Sequence, residues 1–241
     1  MCRFVDIHSH ILPGVDDGSP NMEVSMKMLS MAYDEGIRHL FLTPHYVRGE
    51  NQYRPEDLDQ LFAKLQAKAG ESFRELHLYL GNEVYYTPGV AEDIRKGKIH
   101  TMCGTRYLLV EFDTSASYRE IYRAVRELRQ MRLFPVIAHV ERYQSLKGKP
   151  ELFLELKELD ACFQLNAGGV LGNSLHPHTR WCRKLVENGM ITFLGTDAHD
   201  MQYRTPAIRK AATWMTGHIS GEYQSSLFRE NAGALIRNQY I

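Results

Sequence analysis

The chain of 241 residues lacks an excess of charge of either sign: Lys and Arg number 29, Asp and Glu number 29, and the formal net charge is zero. That balance argues against nucleic-acid or membrane-surface binding driven by bulk charge. Cysteine is scarce, and Cys2, Cys103, Cys162 and Cys182 form no C-x-x-C pair. No apolar run is long enough to span a bilayer, no linker, low-complexity segment or repeat is visible, and no signal peptide is expected. The expectation is a cytoplasmic protein with free thiols and no direct membrane insertion. What is present is a hydrophobic content of 44% over 241 residues, enough for a substantial core. One (β/α) barrel, typically about 250 residues, fits that length, so residues 1–241 are expected to form a single domain.

A pattern recurs along the chain: a short β-type run, a turn, then an amphipathic stretch. Strands are expected at Arg3–Ile7, His39–Thr43, Glu75–Leu80, Arg106–Val110, Phe134–Ala138, Phe163–Asn166 and Met190–Leu194. Helices are expected from Asn21 to a stop at Gly36, and then over Glu56–Ala69, Pro88–Lys96, Tyr118–Met131, Glu151–Leu159 and Leu175–Asn188. Two more are expected over Pro206–Met215 and Gly221–Ile236. In the first helix, Met22, Met26, Leu29 and Tyr33 fall at helical spacing and read as core. Strands alternating with helices at this spacing imply βαβ units and a parallel sheet. Seven strands without a reversal suggest a barrel, complete or incomplete, in preference to an open sheet.

In six of the seven units the residue just past the strand is His, Asp or Glu. The set is His8, His10, His45, Glu83, Glu111, His139, Asp197 and His199. In a β/α barrel the C-terminal strand ends form one rim, where groups from several strands meet. His8 and His10, two residues apart on a strand, face the same side. Five imidazoles and three carboxylates, with Asp17 as a ninth candidate, exceed what one ion needs, so two or three metals are expected. Such donors suit Zn, Mn or Fe. Metals acidify bound water and clamp the oxygens of a phosphoryl transfer. Arg142 and Arg204 stand close to the cluster in sequence, and guanidinium groups grip phosphate in a bidentate fork; a phosphate ester is therefore the favoured substrate. Asn166 ends the remaining strand and is a candidate hydrogen-bonding group. His39, His77, His100, His176, His178 and His218 read as structural or solvated.

Taken together, Asp6-Ile7-His8-Ser9-His10, Thr43-Pro44-His45-Tyr46, Gly81-Asn82-Glu83-Val84-Tyr85-Tyr86, Glu111-Phe112, Ala138-His139-Val140-Glu141-Arg142-Tyr143 and Gly195-Thr196-Asp197-Ala198-His199 resemble the motif set of the PHP (polymerase and histidinol phosphatase) superfamily. The wording is closest to its manganese-dependent bacterial protein-tyrosine phosphatases of the capsule type, CpsB/CapC-like. The resemblance spans residue 4 to about 235. It implies a distorted (β/α)7 TIM-like barrel with a trinuclear centre. Manganese is the metal it implies first, with Fe, Zn or Mg as alternatives. It also implies hydrolysis of phosphotyrosine on the tail of a bacterial tyrosine kinase that controls capsule or exopolysaccharide synthesis. By position, His8, His10, Asp17, His45, Glu83, Glu111, His139, Asp197 and His199 match the metal ligands, and Arg142 and Arg204 the phosphate-binding residues. Asp17 could also give a proton to the leaving oxygen.

A covalent cysteine mechanism needs Arg six positions after the nucleophile. Six positions after the four cysteines stand His8, Leu109, Gly168 and Asn188, which leaves a hydroxide held by metals as the expected nucleophile. Two other readings use the same residues: a histidinol-phosphate or other small-molecule phosphatase, and a non-catalytic metal-binding interaction module. A proofreading exonuclease finds no support in the charge balance.

Overall fold

The structure is a computed structural model that describes residues 4–50 and 53–241. Cys2 and the expected strand start at Arg3 lie outside the described residues. All the strand pairings are parallel. One arc runs β1 (Phe4–Asp6), β2 (Ile37–Leu42), β4 (His77–Leu80). The other runs β3 (His45–Tyr46), β5 (Glu83–Tyr85), β6 (Tyr107–Glu111), β7 (Phe134–Ile137), β8 (Cys162–Asn166), β9 (Phe193–Gly195). The seven expected strands are present as seven staves, because β2 continues into β3 and β4 into β5 after short breaks. Pro44 lacks an N–H and cannot extend the ladder. Beside it, Asn82 turns its side chain inward, and its Nδ2 donates to the Pro44 carbonyl at 3.0 Å. Beyond the breaks His45 and Glu83 pair in register.

The first and last staves close the ring. Ile7 N donates to Leu194 O (3.4 Å), Asp197 N to His8 O (2.8 Å) and His10 N to Ala198 O (2.8 Å). His8 and His10 are therefore past the end of β1, in an extended segment bonded to the last stave, and not on the strand itself. The last strand is shorter than expected: Met190–Thr192 approach it without joining it.

Helices pack around the outside. α1 (Met22–Glu35) starts where Asn21 Oδ1 accepts from Val24 N and stops at Gly36, whose φ of 95° suits glycine. Its buried face is Ser25, Met28, Leu29 and Ala32; Met22, Met26 and Tyr33 flank that face, half-buried. α2 (Pro55–Ser72), α3 (Val90–Arg95), α5 (Pro150–Lys157), α6 (Pro177–Glu187) and α7 (Arg209–Thr216) fall where expected, within a few residues at either end. α4 (Tyr118–Gln130) begins with a reciprocal Ser117–Glu120 cap and buries Ile121, Ala124, Val125 and Leu128. The helix expected over Gly221–Ile236 runs that whole span, as α8 (Gly221–Ser225) and α9 (Asn231–Ile236) with a wider helical turn between them in which Asn231 N reaches Ser226 O. That turn buries Leu227 and Phe228, and Phe228 packs on Phe4 with ring centroids 5.1 Å apart.

Two apolar layers result. One lies between sheet and helices. The other fills the barrel with Val5, Ile7, Phe41, Leu109, Val136 and Phe193, among others. The inner layer occupies the space below the rim, so the charged groups above it stand on a dry floor. No helix among the described residues is long and apolar enough to cross a membrane.

Candidate metal centre

The stave ends carry the ionisable residues to one place. His8 and His10 come from the segment after β1, His45 opens β3, and Glu83 opens β5. Glu111 ends β6, His139 follows β7, and Asp197 and His199 follow β9. Two of these have left-handed backbones, His139 at φ 31° and Asp197 at φ 54°. For residues other than glycine such geometry costs on the order of 1–3 kcal/mol, and it concentrates where side chains must be aimed.

Three donor sets form, each with its atoms within 4.8 Å of one another: His8, His10, Glu83 and Asp197; His45, Glu83 and Glu111; and His10, Asp17, His45 and His199. Glu83 is the hub. Its Oε2 lies 3.2 Å from His8 Nε2, 3.2 Å from His10 Nε2 and 3.1 Å from His45 Nδ1. His139 joins through Nε2, 2.9 Å from Glu83 Oε1 and 3.3 Å from Glu111 Oε2. Asp17 sits at the rim with its side chain 66% exposed, Oδ1 being 3.5 Å from His45 Nε2 and 3.4 Å from His199 Nε2. All nine residues singled out as ligands are thus brought together.

The donor set fits divalent metal. Glu83 Oε2 and His199 Nε2 are buried without a hydrogen bond, although other lone-pair donors crowd them. Buried polar atoms are rarely left that way. The same crowding shifts the titrations. Burial alone would lower His8, but the facing Glu83 and Asp197 carboxylates overcome it and lift the ring to about 10. His45 rises to about 9 against its own burial, through Glu111 and Glu83. In the opposite direction, burial together with His10 and Arg204 takes His199 down to about 4. Glu83 and Asp197 are held below the usual carboxylate range, because the imidazoles around them outweigh burial. The pocket is a concentrated mixture of anionic carboxylates and nitrogen donors, the chemistry that Mn, Fe and Zn sites use.

A supporting layer was not singled out from sequence. Asp16, the neighbour of Asp17, faces His10 Nδ1 at 2.8 Å and accepts from His45 N at 3.1 Å. Gln164 Oε1 lies 3.0 Å from His8 Nδ1 and accepts from His139 N at 2.7 Å. These contacts accept the Nδ1 proton of His8 and of His10, so that with metal displacing the second proton each ring would present Nε2 to the centre. Asp6, fully buried, accepts from Thr196 Oγ1 at 2.6 Å and Thr196 N at 2.9 Å; burial pushes it up to about 6 despite those bonds. The signal available was Gln164 itself, a polar side chain amid an apolar strand.

Arg142 and Arg204 meet at Asp197. Their Nη2 atoms donate to Asp197 Oδ2 at 2.7 Å and 2.5 Å, and Asn166 Nδ2 donates to the same oxygen at 2.8 Å. Each guanidinium stays more than a third exposed, so both keep donors for an incoming anion. Two grooves flank the centre. One, of about 670 Å³, runs past Asp16, Asp17, His45, Glu50, Tyr53 and Glu111. The other, of about 430 Å³, holds Arg142, Arg204, Asn166, Gly168, His178 and Tyr203.

The remaining histidines stand apart from the donor sets. His39 stacks on His77 with centroids 4.9 Å apart and lies 2.9 Å from Tyr79 Oη. His100 pairs with Asp59, His178 lies against Cys182, and His218 Nδ1 donates to Trp214 O; His176 is exposed.

Residues 4–237 match the family described as capsular polysaccharide synthesis, CpsB/CapC. The tyrosine-protein phosphatase CpsB of Streptococcus agalactiae is 29% identical over 98% of this chain and 100% of its own length. The tyrosine-protein phosphatase YwqE of Bacillus subtilis is 30% identical over 98% of this chain and 93% of its own. A crystal structure from a study of YwqE and of Streptococcus pneumoniae CpsB, described as unique metal-dependent tyrosine phosphatases, superposes with a TM-score of 0.90, covering 98% of this chain and 96% of that one at 30% identity. The phosphotriesterase homology protein of Escherichia coli shares the barrel alone, with a TM-score of 0.60 at 12% identity over 97% of this chain and 98% of that one.

Proposed function

The chain belongs to the CpsB/CapC capsular polysaccharide synthesis family, and from that membership we propose that it is a metal-dependent protein-tyrosine phosphatase. We further infer that residues 1–241 act as one cytoplasmic catalytic domain. Its substrate is the phosphotyrosine-bearing tail of a bacterial tyrosine kinase in capsule or exopolysaccharide synthesis. The observation that carries the reading is the convergence of Arg142, Arg204 and Asn166 on one oxygen of Asp197, at the edge of a nine-residue donor cluster. Two cationic forks beside metal ligands suit a phosphate dianion better than a neutral amide or ester.

His8, His10, Glu83 and Asp197 are assigned to one ion, and His45, Glu83 and Glu111 with His139 to a second. Asp17, His45, His199 and His10 would serve a third. Bound divalent metal, manganese first among the candidates, would supply an acidified water and offset phosphoryl charge. The protein's own residues do the rest. Arg142 and Arg204 bind and orient the phosphate oxygens. Asp16 and Gln164 keep the His10 and His8 rings in the tautomer that presents Nε2. The departing tyrosine oxygen takes its proton from Asp17 only where that carboxyl stays protonated and off the metal; with Asp17 ionised as a ligand, the acidified water would be the proton source. The apolar barrel interior closes the cluster from below.

The test is phosphate release from a phosphotyrosine peptide by protein loaded with Mn and by the same protein after exhaustive chelation. Activity that appears with metal and vanishes with chelator is expected. Full activity in the chelated protein sinks the proposal, and faster turnover of histidinol phosphate moves it to a small-molecule substrate.

A further inference from the structure

The two grooves beside the centre are unlike in a way that sorts a substrate. The larger is lined by Asp16, Asp17, Glu50 and Glu111 beside His45, with no Arg or Lys among its lining residues. Its aromatic ring, Tyr53, is pinned, since its hydroxyl donates to the His45 carbonyl and accepts from Asn82 Nδ2. The smaller groove contains both arginines and, on the same wall as Arg204, Tyr203. That ring is 90% exposed, more than any other large apolar side chain among the described residues.

The exposure does not come from a loose loop. Asp200 Oδ1 accepts from Gln202 N and from Tyr203 N, each at 2.6 Å, and Asp200 Oδ2 accepts from Arg204 N at 3.2 Å. His199 N and Asp200 N both donate to Arg204 O, at 2.8 Å and 3.2 Å. The turn is closed on itself from both directions, so Tyr203 is presented to water by a fixed backbone. Across the groove, Gly168 leaves open space: a Cβ added there would meet no atom within 4 Å. The groove therefore has a phosphate-gripping end, one aromatic side and open space at Gly168.

We propose that Tyr203 is a specificity-determining residue, the platform on which the substrate's aryl ring stacks while Arg142 and Arg204 hold its phosphate. In an aryl phosphate the ring is one oxygen away from phosphorus. A phosphate held by Arg204 thus puts that ring within reach of the side chain next to it in sequence. Covering Tyr203 removes apolar area from water and forms an offset aromatic pair. A phosphoserine or other alkyl phosphate offers the same anion without a ring and gains neither. The selectivity resides in the groove and not in the metals, which treat all phosphomonoesters alike. This inference rests on the phosphotyrosine reading and deepens it.

The probes are phenylphosphonate and methylphosphonate, which share the anion and cannot be hydrolysed, titrated calorimetrically into metal-loaded protein. Wild type is expected to bind the phenyl compound roughly tenfold more tightly, the scale of one aromatic pair with the area it covers. In Tyr203→Ala that ratio falls close to one while methylphosphonate affinity and metal content hold; Tyr203→Phe keeps the ratio. With a phosphotyrosine peptide, Tyr203→Ala raises KM by a similar factor and leaves kcat nearly unchanged. An undiminished phenyl preference in Tyr203→Ala, an equal loss for both phosphonates, or no preference in wild type overturns the assignment. Peptide hydrolysis by wild type separates the two failures: a protein that cleaves phosphotyrosine without a phenyl preference loses only the Tyr203 platform, whereas one that cleaves no phosphoester loses the function as well.

Discussion

Arg142 and Arg204 are partly buried and share the buried Asp197 carboxylate, so removing either one leaves the other and Asn166 to satisfy it. Their value is in what they hold. Replacing either with Ala is expected to lower kcat/KM on a phosphotyrosine peptide about 10²-fold, the scale seen when one preorganised donor to a developing anion is removed. Metal content, measured by elemental analysis, should stay at the wild-type level; a parallel loss of metal would make the arginine a prop for Asp197 instead. Asp17 is a sharper case, because it touches both His45 and His199 yet is largely in water. Asp17→Asn is expected to cost one bound ion per chain. Full occupancy, with a slowdown greatest for poor leaving groups, would leave it as a proton donor alone. At this scale the donors were legible: His, Asp or Glu at one strand end after another is a pattern in the chain itself. Their supports were not. Gln164 reaches His8 across 156 positions and His139 across 25; its polarity within an apolar strand marks it out without saying what it reaches. Asp16 and Asp17 look interchangeable in sequence. The turn separates them, aiming Asp16 at the back of His10 and Asp17 at the centre.

The loop from Ile11 to Pro20 sets that turn. Gly18 packs so tightly that a Cβ would lie 2.0 Å from the His10 carbonyl oxygen and 2.5 Å from His10 Cβ. Backbone and ligand cannot both stay put, so Gly18→Ala is expected to displace the loop. The ion assigned to Asp17, His45 and His199 is lost, and the other two sites are weakened through His10; metal titration by calorimetry reads this directly. A variant with wild-type stoichiometry would show that the loop yields without consequence. Element boundaries were legible where local chemistry marks them, as at Asn21, Gly36 and the Ser117–Glu120 pair. They were obscured where tertiary packing decides. The expected helix over Gly221–Ile236 runs its full length, but its pattern gives no sign of the widened turn at Ser226–Glu230 that carries Leu227 and Phe228 to the sheet. The breaks in the second and third staves were hidden too, because Pro44 and Asn82 read as strand ends and not as interruptions.

For the whole molecule, the barrel was legible from the alternation of strands and helices, but how it closes was not. Asp6 and Thr196, 190 positions apart, are joined by two hydrogen bonds, and no sequence pattern announces such a pair. The donor cluster straddles that seam, with His8 and His10 on one lip and Asp197 and His199 on the other. Metal should therefore stabilise the protein as a whole. An ion present at a hundred times its Kd adds about 2.7 kcal/mol, or a rise of roughly 5–10 °C in Tm for a chain of this size. Calorimetric scans with Mn and with chelator check the shift; coincident melts would mean that the cluster binds no metal tightly in the folded state. The seam also has a consequence in time. At about 5–20 residues per second, synthesis separates the first lip from the second by roughly 10–40 s. Throughout that interval the nascent chain carries His8 and His10 without their counterparts and has no complete centre. The centre cannot be assembled, nor any activity that depends on it acquired, before the last strand has emerged.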